Sequence, residues 1–216
     1  MSRLPTDLYF IFLALISCLI AISRQSNPRY IKMFPFFLVA TMAIEFAGGL
    51  MSGRKIHTIL MYNIFTSVEF LFYLWVLQEI IIDKKIKRII RFCQVIYLIL
   101  SLWEILHSLK SGSFHTETYM LGCLFIVGSC ICYFFEIFRQ TRATNLVREP
   151  GFWICSGLLF FYTCTSPYYG FANLLRRLPD QDVEILTAII VLLNILLYSS
   201  FAIAFLCRFK IRKYTS

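Results

Sequence analysis

Seven apolar runs of membrane-spanning length, divided by short segments rich in Lys and Arg, constrain this chain more than any other feature of its sequence. They are Leu8–Ser23, Met33–Met51, Thr58–Ile82, Ile89–Leu109, Thr118–Phe138, Gly151–Phe171 and Val183–Cys207. Most come close to or exceed the ~20 residues that a helix needs to cross hydrocarbon. Composition agrees: 59% of residues are hydrophobic and 15% charged, against about a quarter charged in soluble domains. The expected fold is all-α, a polytopic membrane helical bundle of seven transmembrane helices, with residues 1–216 forming one transmembrane domain. The first run is short enough to be mistaken for a signal-peptide core. No charge cluster precedes it and no small-x-small cleavage site follows, and Arg24, Pro28, Arg29 and Lys32 come next, so it is read as a spanning helix.

The positive charge has a direction. Fifteen of the 21 Lys and Arg residues follow runs one, three and five or lie in the C-terminal tail, leaving six on the other side. Because cytoplasmic loops carry the excess of Lys and Arg, the N-terminus is expected outside and the C-terminus in the cytoplasm. The same distribution accounts for the net charge of +9 without nucleic acid, which is not an expected partner. Lys84, Lys85, Lys87 and Arg88, together with Arg208, Lys210, Arg212 and Lys213, form the surface expected to meet a cytoplasmic partner protein. Anionic headgroups of the lipid bilayer explain the same residues equally well, and a homo-oligomer is also compatible with the sequence.

At 100° per residue, Tyr62, Thr66, Glu69 and Tyr73 of run three fall on one narrow stripe, with Asn63 at its edge. A carboxylate in mid-membrane costs roughly 2.5 kcal/mol or more, so Glu69 should face protein or water. The same arithmetic aligns Thr41, Glu45, Gly48 and Ser52 in run two. It aligns Gln94, Tyr97, Ser101, Glu104 and Ser108 in run four, Gly122, Ser129, Tyr133 and Glu136 in run five, and Thr187, Asn194 and Tyr198 in run seven. Run six offers Ser156 and Thr163, and Pro167 should leave the Thr163 carbonyl without its helical donor. The Ser, Thr and Gly positions suit contacts that glue neighbouring helices together.

Glu79, Glu104 and Glu136 lie near run ends, where headgroups or loop cations can meet them, whereas Glu45 and Glu69 are deeper. Two carboxylates in a low-dielectric core must be protonated, share a proton or be neutralised by a cation. Glu45, Asn63, Glu69, Tyr73, Thr163, Asn194 and Tyr198 are therefore the candidate ligand- or ion-binding residues. The alternative is that the two acids serve as interhelical hydrogen-bond donors.

No HExxH, GxSxG, GxGxxG or P-loop occurs, so no catalytic residue and no cofactor is assigned. The eight cysteines lie within or at the ends of apolar runs, which gives no disulfide framework. Cys130 and Cys132 point to opposite sides of a helix, and three scattered histidines lack ligand spacing, so no metal site is expected. Run seven has no mid-membrane lysine for a retinal Schiff base, and the PQ dipeptide of seven-helix sugar exporters is absent.

An acidic residue in run two, Tyr62-Asn63 followed by Glu69-Phe70 in run three, and Phe152-Trp153 just after Pro150 together carry a resemblance. On them the chain resembles a group of poorly characterised bacterial seven-helix membrane proteins. The resemblance implies an inner-membrane location and a signalling or accessory role beside a partner. The expected function is a sensor or accessory subunit whose polar core binds a small ligand, proton or cation. The alternatives are a small transporter or pore, including a membrane effector of a bacterial defence system, and a lipid-modifying enzyme using Glu45 and Glu69 as acid and base.

Overall fold

The computed structural model describes residues 7–24, 28–51, 55–111, 116–139, 146–170 and 180–207. They form seven α-helices: α1 (Asp7–Arg24), α2 (Arg29–Leu50), α3 (Lys55–Ile80), α4 (Lys84–Ser111), α5 (Thr116–Arg139), α6 (Pro150–Gly170) and α7 (Asp180–Leu206). A 3-10 turn at Leu146–Arg148 precedes α6, and no strand occurs among the described residues. Five helices, α2, α3, α4, α5 and α7, are long and apolar enough to cross a membrane, and α1 adds the shorter apolar stretch Tyr9–Ile22. The helices close a ring in the order α2, α1, α7, α6, α5, α4, α3 and back to α2, with α3 also packed on α5.

Large apolar side chains cover the outside. Phe36 is 74% exposed and Phe138 70%, and Trp103, Phe135 and Leu192 also point outward. Such a surface fits a hydrocarbon solvent. In hydrocarbon, close packing rather than water exclusion holds helices together. On α1 the buried residues Ala14, Cys18 and Ala21 recur at helical spacing, and their small size lets neighbouring backbones approach. Elsewhere the core is aromatic. The ring of Phe34 on α2 lies 5.2 Å from Phe72 on α3, and 5.3 and 5.2 Å from Phe201 and Phe205 on α7. These are edge-on separations that aromatic pairs favour.

Several boundaries depart from the sequence expectation. Helix α2 begins at Arg29, four residues before its apolar run, with Pro28 at the N-cap and Pro35 inside the helix. A proline removes the N–H that would bond the carbonyl four residues back, here that of Ile31. The Cys18 thiol of α1 donates to that carbonyl at 3.6 Å, which compensates the break with a side chain from the neighbouring helix. Cys18→Ser should therefore keep the contact, whereas Cys18→Ala should cost about 1 kcal/mol. Unfolding of the two variants in detergent, followed by tryptophan fluorescence, measures the difference.

The basic run after α3 is not a loop. Lys84 to Arg88 form the first turns of α4, because Lys and Arg are good helix formers and Asp83 caps them. The Asp83 carboxylate accepts from the Lys85 N–H at 2.7 Å. Glu136 of α5 completes the start of α4. Its carboxylate accepts from the backbone N–H groups of Ile82 at 3.1 Å and Asp83 at 2.8 Å. It thus meets backbone donors rather than the headgroups or loop cations expected of it.

The small hydroxyls also behave differently from the helix-bridging role expected of them. Ser17, Thr41, Ser67, Ser129 and Thr165 each donate to the carbonyl one turn back in their own helix, at 2.7–2.9 Å. In an apolar surrounding this satisfies the donor without needing a partner helix. The Thr163 carbonyl, left without a donor by Pro167, accepts from the Ser166 hydroxyl at 3.2 Å, and α6 continues to Gly170.

Candidate functional site

Helix α3 positions the site because its side chains reach most of the ring. Phe70 lies 5.5 Å from Tyr97 on α4, 5.3 Å from Tyr119 on α5 and 5.1 Å from Tyr162 on α6. One turn on, Tyr73 meets Phe37 on α2 at 5.2 Å and Phe201 on α7 at 6.0 Å. Gly122 on α5 makes room for the Phe70 ring, since a Cβ there would come within 2.7 Å of it. This aromatic floor fixes the rotation of α3 and leaves the Tyr62–Thr66–Glu69 stripe facing inward.

Beside that stripe lies a cavity of about 300 Å³. Helix α2 contributes Thr41 and Glu45, α3 contributes Tyr62, Thr66 and Glu69, and α7 contributes Asn194 and Tyr198. Tyr119 enters from α5, and Tyr162 and Tyr169 from α6, while Ile59, Phe65 and Phe161 complete the wall. Glu69 lies deep in the bundle but stays half-buried because its carboxyl borders the cavity. The hydroxyls of Tyr73 and Tyr162 are directed at that carboxyl, and Glu45 is close enough to interact with it electrostatically. Tyr62 faces Glu45 in the same way. Gly48 on α2 leaves the space that the Tyr62 hydroxyl fills. The Tyr73 hydroxyl is fully buried and completes no hydrogen bond, with Glu69 and Tyr198 as its polar neighbours.

A second, smaller void of about 10 Å³ lies on the other side of α3, room for about one water. Asn63, Ser67, Tyr97, Ser101, Glu104 and Thr118 border it. The Thr118 hydroxyl donates to the Glu104 carboxylate, which links α5 to α4. Thr66 and Tyr119 belong to both walls, so the two polar spaces meet at these residues. Tyr119 in turn donates to the Thr165 hydroxyl of α6 at 3.3 Å and lies 4.5 Å from the Tyr169 ring.

The structure thus brings Glu45, Glu69, Asn194 and Tyr198 to one cavity and sets Tyr73 just behind Glu69. It does not bring Asn63 there. That side chain is buried on the α4 and α5 side of the helix. Thr163 is also misplaced by the sequence reasoning. It is exposed and borders an outward-facing apolar groove between α5 and α6, with Cys123 and Ser166. The inward positions of α6 are Tyr162, Thr165 and Tyr169, which sequence reasoning missed. Tyr162 precedes Thr163 directly, and a tyrosine among apolar residues gives no polarity signal of its own.

Among the described residues no group of three or more His, Cys, Asp or Glu is arranged to hold a metal ion. Lys84, Lys85 and Arg88 are exposed at the start of α4 and Lys87 is half-buried. Arg208, Lys210, Arg212 and Lys213 lie outside the described residues. Comparison with protein-family models, curated proteins and solved structures yields no match.

Proposed function

We propose that the protein is a seven-span membrane protein of a bacterial inner membrane, with its N-terminus outside and its C-terminus in the cytoplasm. It acts as a sensor or accessory subunit whose core takes up a small ligand, proton or cation. The observation that carries this reading is the cavity of about 300 Å³ that Glu45 and Glu69 border together. Two carboxyls that face one space inside a bundle raise each other's charging cost, and uptake of a proton or a cation relieves it. The exposed basic start of α4 suits a cytoplasmic partner or anionic headgroups.

One feature favours a second reading, a small transporter or pore. The polar groups form a series across α3, from Glu45 and Glu69 through Thr66 and Tyr119 to Asn63 and Glu104. Ion and dye flux from proteoliposomes, measured for the native chain beside Glu69→Gln, separates the two. A sensor gives no flux above empty liposomes in either sample. Flux that falls by about tenfold or more in Glu69→Gln selects the transporter, since removal of a mid-membrane charge from a conduction path changes its barrier by about 1.4 kcal/mol or more. If Glu45→Gln combined with Glu69→Gln leaves every binding, flux and partner-dependent readout unchanged, both readings fail.

A further inference from the structure

We infer that the outer face of α4 is a docking surface for one anionic phospholipid, its headgroup on the basic first turns and an acyl chain along the apolar turns that follow. The inference rests on the membrane-protein reading above and is independent of the cavity. At 100° per residue Lys84, Arg88, Arg91, Val95, Ile99 and Leu102 fall on one stripe of the helix. All six are exposed, Val95 by 51%, Ile99 by 61% and Leu102 by 52%. The face therefore passes from cationic to apolar without turning away. From Arg91 to Leu102 the helix rises about 16 Å, close to half of the ~30 Å hydrocarbon core.

That continuity selects the occupant. A cytoplasmic protein can meet Lys84 and Arg88 but cannot follow the face into hydrocarbon. A phospholipid carries an anionic head and an apolar chain in the same order.

Side chains must supply the headgroup contacts, because backbone N–H groups at the start of α4 are already taken. Glu136 accepts from those of Ile82 and Asp83, and Asp83 accepts from that of Lys85. Arginine suits the task, since its planar guanidinium meets two phosphate oxygens at once. The Glu136 bonds also fix the end of α5 against this corner, where Arg139, one turn further on, is exposed. Over residues 79–91 and 136–139 basic side chains outnumber acidic ones six to three, so the corner suits an anion.

Native mass spectrometry of the full chain in detergent, titrated with phosphatidylglycerol and with phosphatidylcholine of the same acyl chains, tests the site. The expected dissociation constant for phosphatidylglycerol is about tenfold or more below that for phosphatidylcholine, at one lipid per chain. Arg88→Gln plus Arg91→Gln should cut that preference to less than about twofold. Arg29→Gln plus Lys32→Gln removes the same charge from two exposed residues at the start of α2, and should leave the preference within about twofold of the native value. Lys84→Gln plus Arg88→Gln replaces the first variant should it fail to fold, as judged by circular dichroism and size-exclusion chromatography. Excess glycerol 3-phosphate should not displace the lipid.

Equal loss in the α2 and α4 variants overturns the site in favour of a diffuse field of basic residues. Unchanged preference in the α4 variant overturns it and leaves the basic turns to a cytoplasmic protein. Full displacement by glycerol 3-phosphate overturns it in favour of a phosphate site without a lipid. Each of these results leaves the core-binding function standing, since that is read from Glu45 and Glu69. A chain that binds neither phospholipid and stays monodisperse without detergent overturns the lipid site and the membrane reading together.

Discussion

Replacing Phe70 with alanine is expected to cost about 3–5 kcal/mol of stability, the range for truncating a fully packed aromatic residue. Phe70 is fully buried, touches the rings of Tyr97, Tyr119 and Tyr162, and sits against the bare backbone of Gly122. Water exclusion is not what this residue contributes, since lipid is as apolar as the core. The cost comes from the dispersion attraction that disappears when four helices cannot close around the missing ring. Phe160→Ala is the matched control, because Phe160 is 52% exposed on the outer face of α6. Thermal unfolding of both variants in one detergent should show a large loss for Phe70→Ala and almost none for Phe160→Ala. Equal losses would mean that ring burial does not hold the bundle together.

Glu136→Ala should show the second large effect, a loss of about 2 kcal/mol or more. The native carboxylate accepts from two consecutive backbone N–H groups at the start of a helix whose next residues are basic. Hydrogen bonds to an ionised acceptor contribute about 1.5–3 kcal/mol, and the positive end of the helix dipole adds to them. Glu136→Gln keeps an acceptor oxygen without the charge and should fall between the two. Hydrogen–deuterium exchange localises the effect: faster exchange at Ile82 and Asp83 is expected in both variants, with slow exchange retained across the middle of α6. A loss spread evenly over the chain would instead make Glu136 a general packing residue.

Much of the architecture is legible in the sequence because membrane helices announce themselves through length and hydropathy. The inward stripe of α3 is legible too, since Tyr62, Thr66 and Glu69 share one helix and their angular relation needs no knowledge of neighbours. What lies beyond reach are the rotations and ends that other helices decide. Thr163 and Tyr162 differ by one residue and by about 100° of rotation. Polarity favours the threonine, but the Phe70 and Tyr73 rings of α3 engage Tyr162 and turn Thr163 outward. Asn63 reads as an edge member of the Glu69 stripe, yet it borders the opposite void together with Ser67, Tyr97 and Ser101. The start of α4 extends through Lys84 to Arg88, beyond the apolar run, and the carboxylate that completes it comes from Glu136, more than fifty residues away. Pro35 within α2 depends similarly on a thiol of α1.

The packing of α1 against α7 has a consequence for biogenesis. A nascent chain delivers α1 to α6 to the membrane as an open horseshoe, and only translation of α7 closes it. Until then Phe34 lacks Phe201 and Phe205, and the cavity lacks the wall supplied by Asn194 and Tyr198. Glu45 and Glu69 therefore stand in an unsealed cleft during synthesis, open on one side to lipid or to whatever insertion factor shields it.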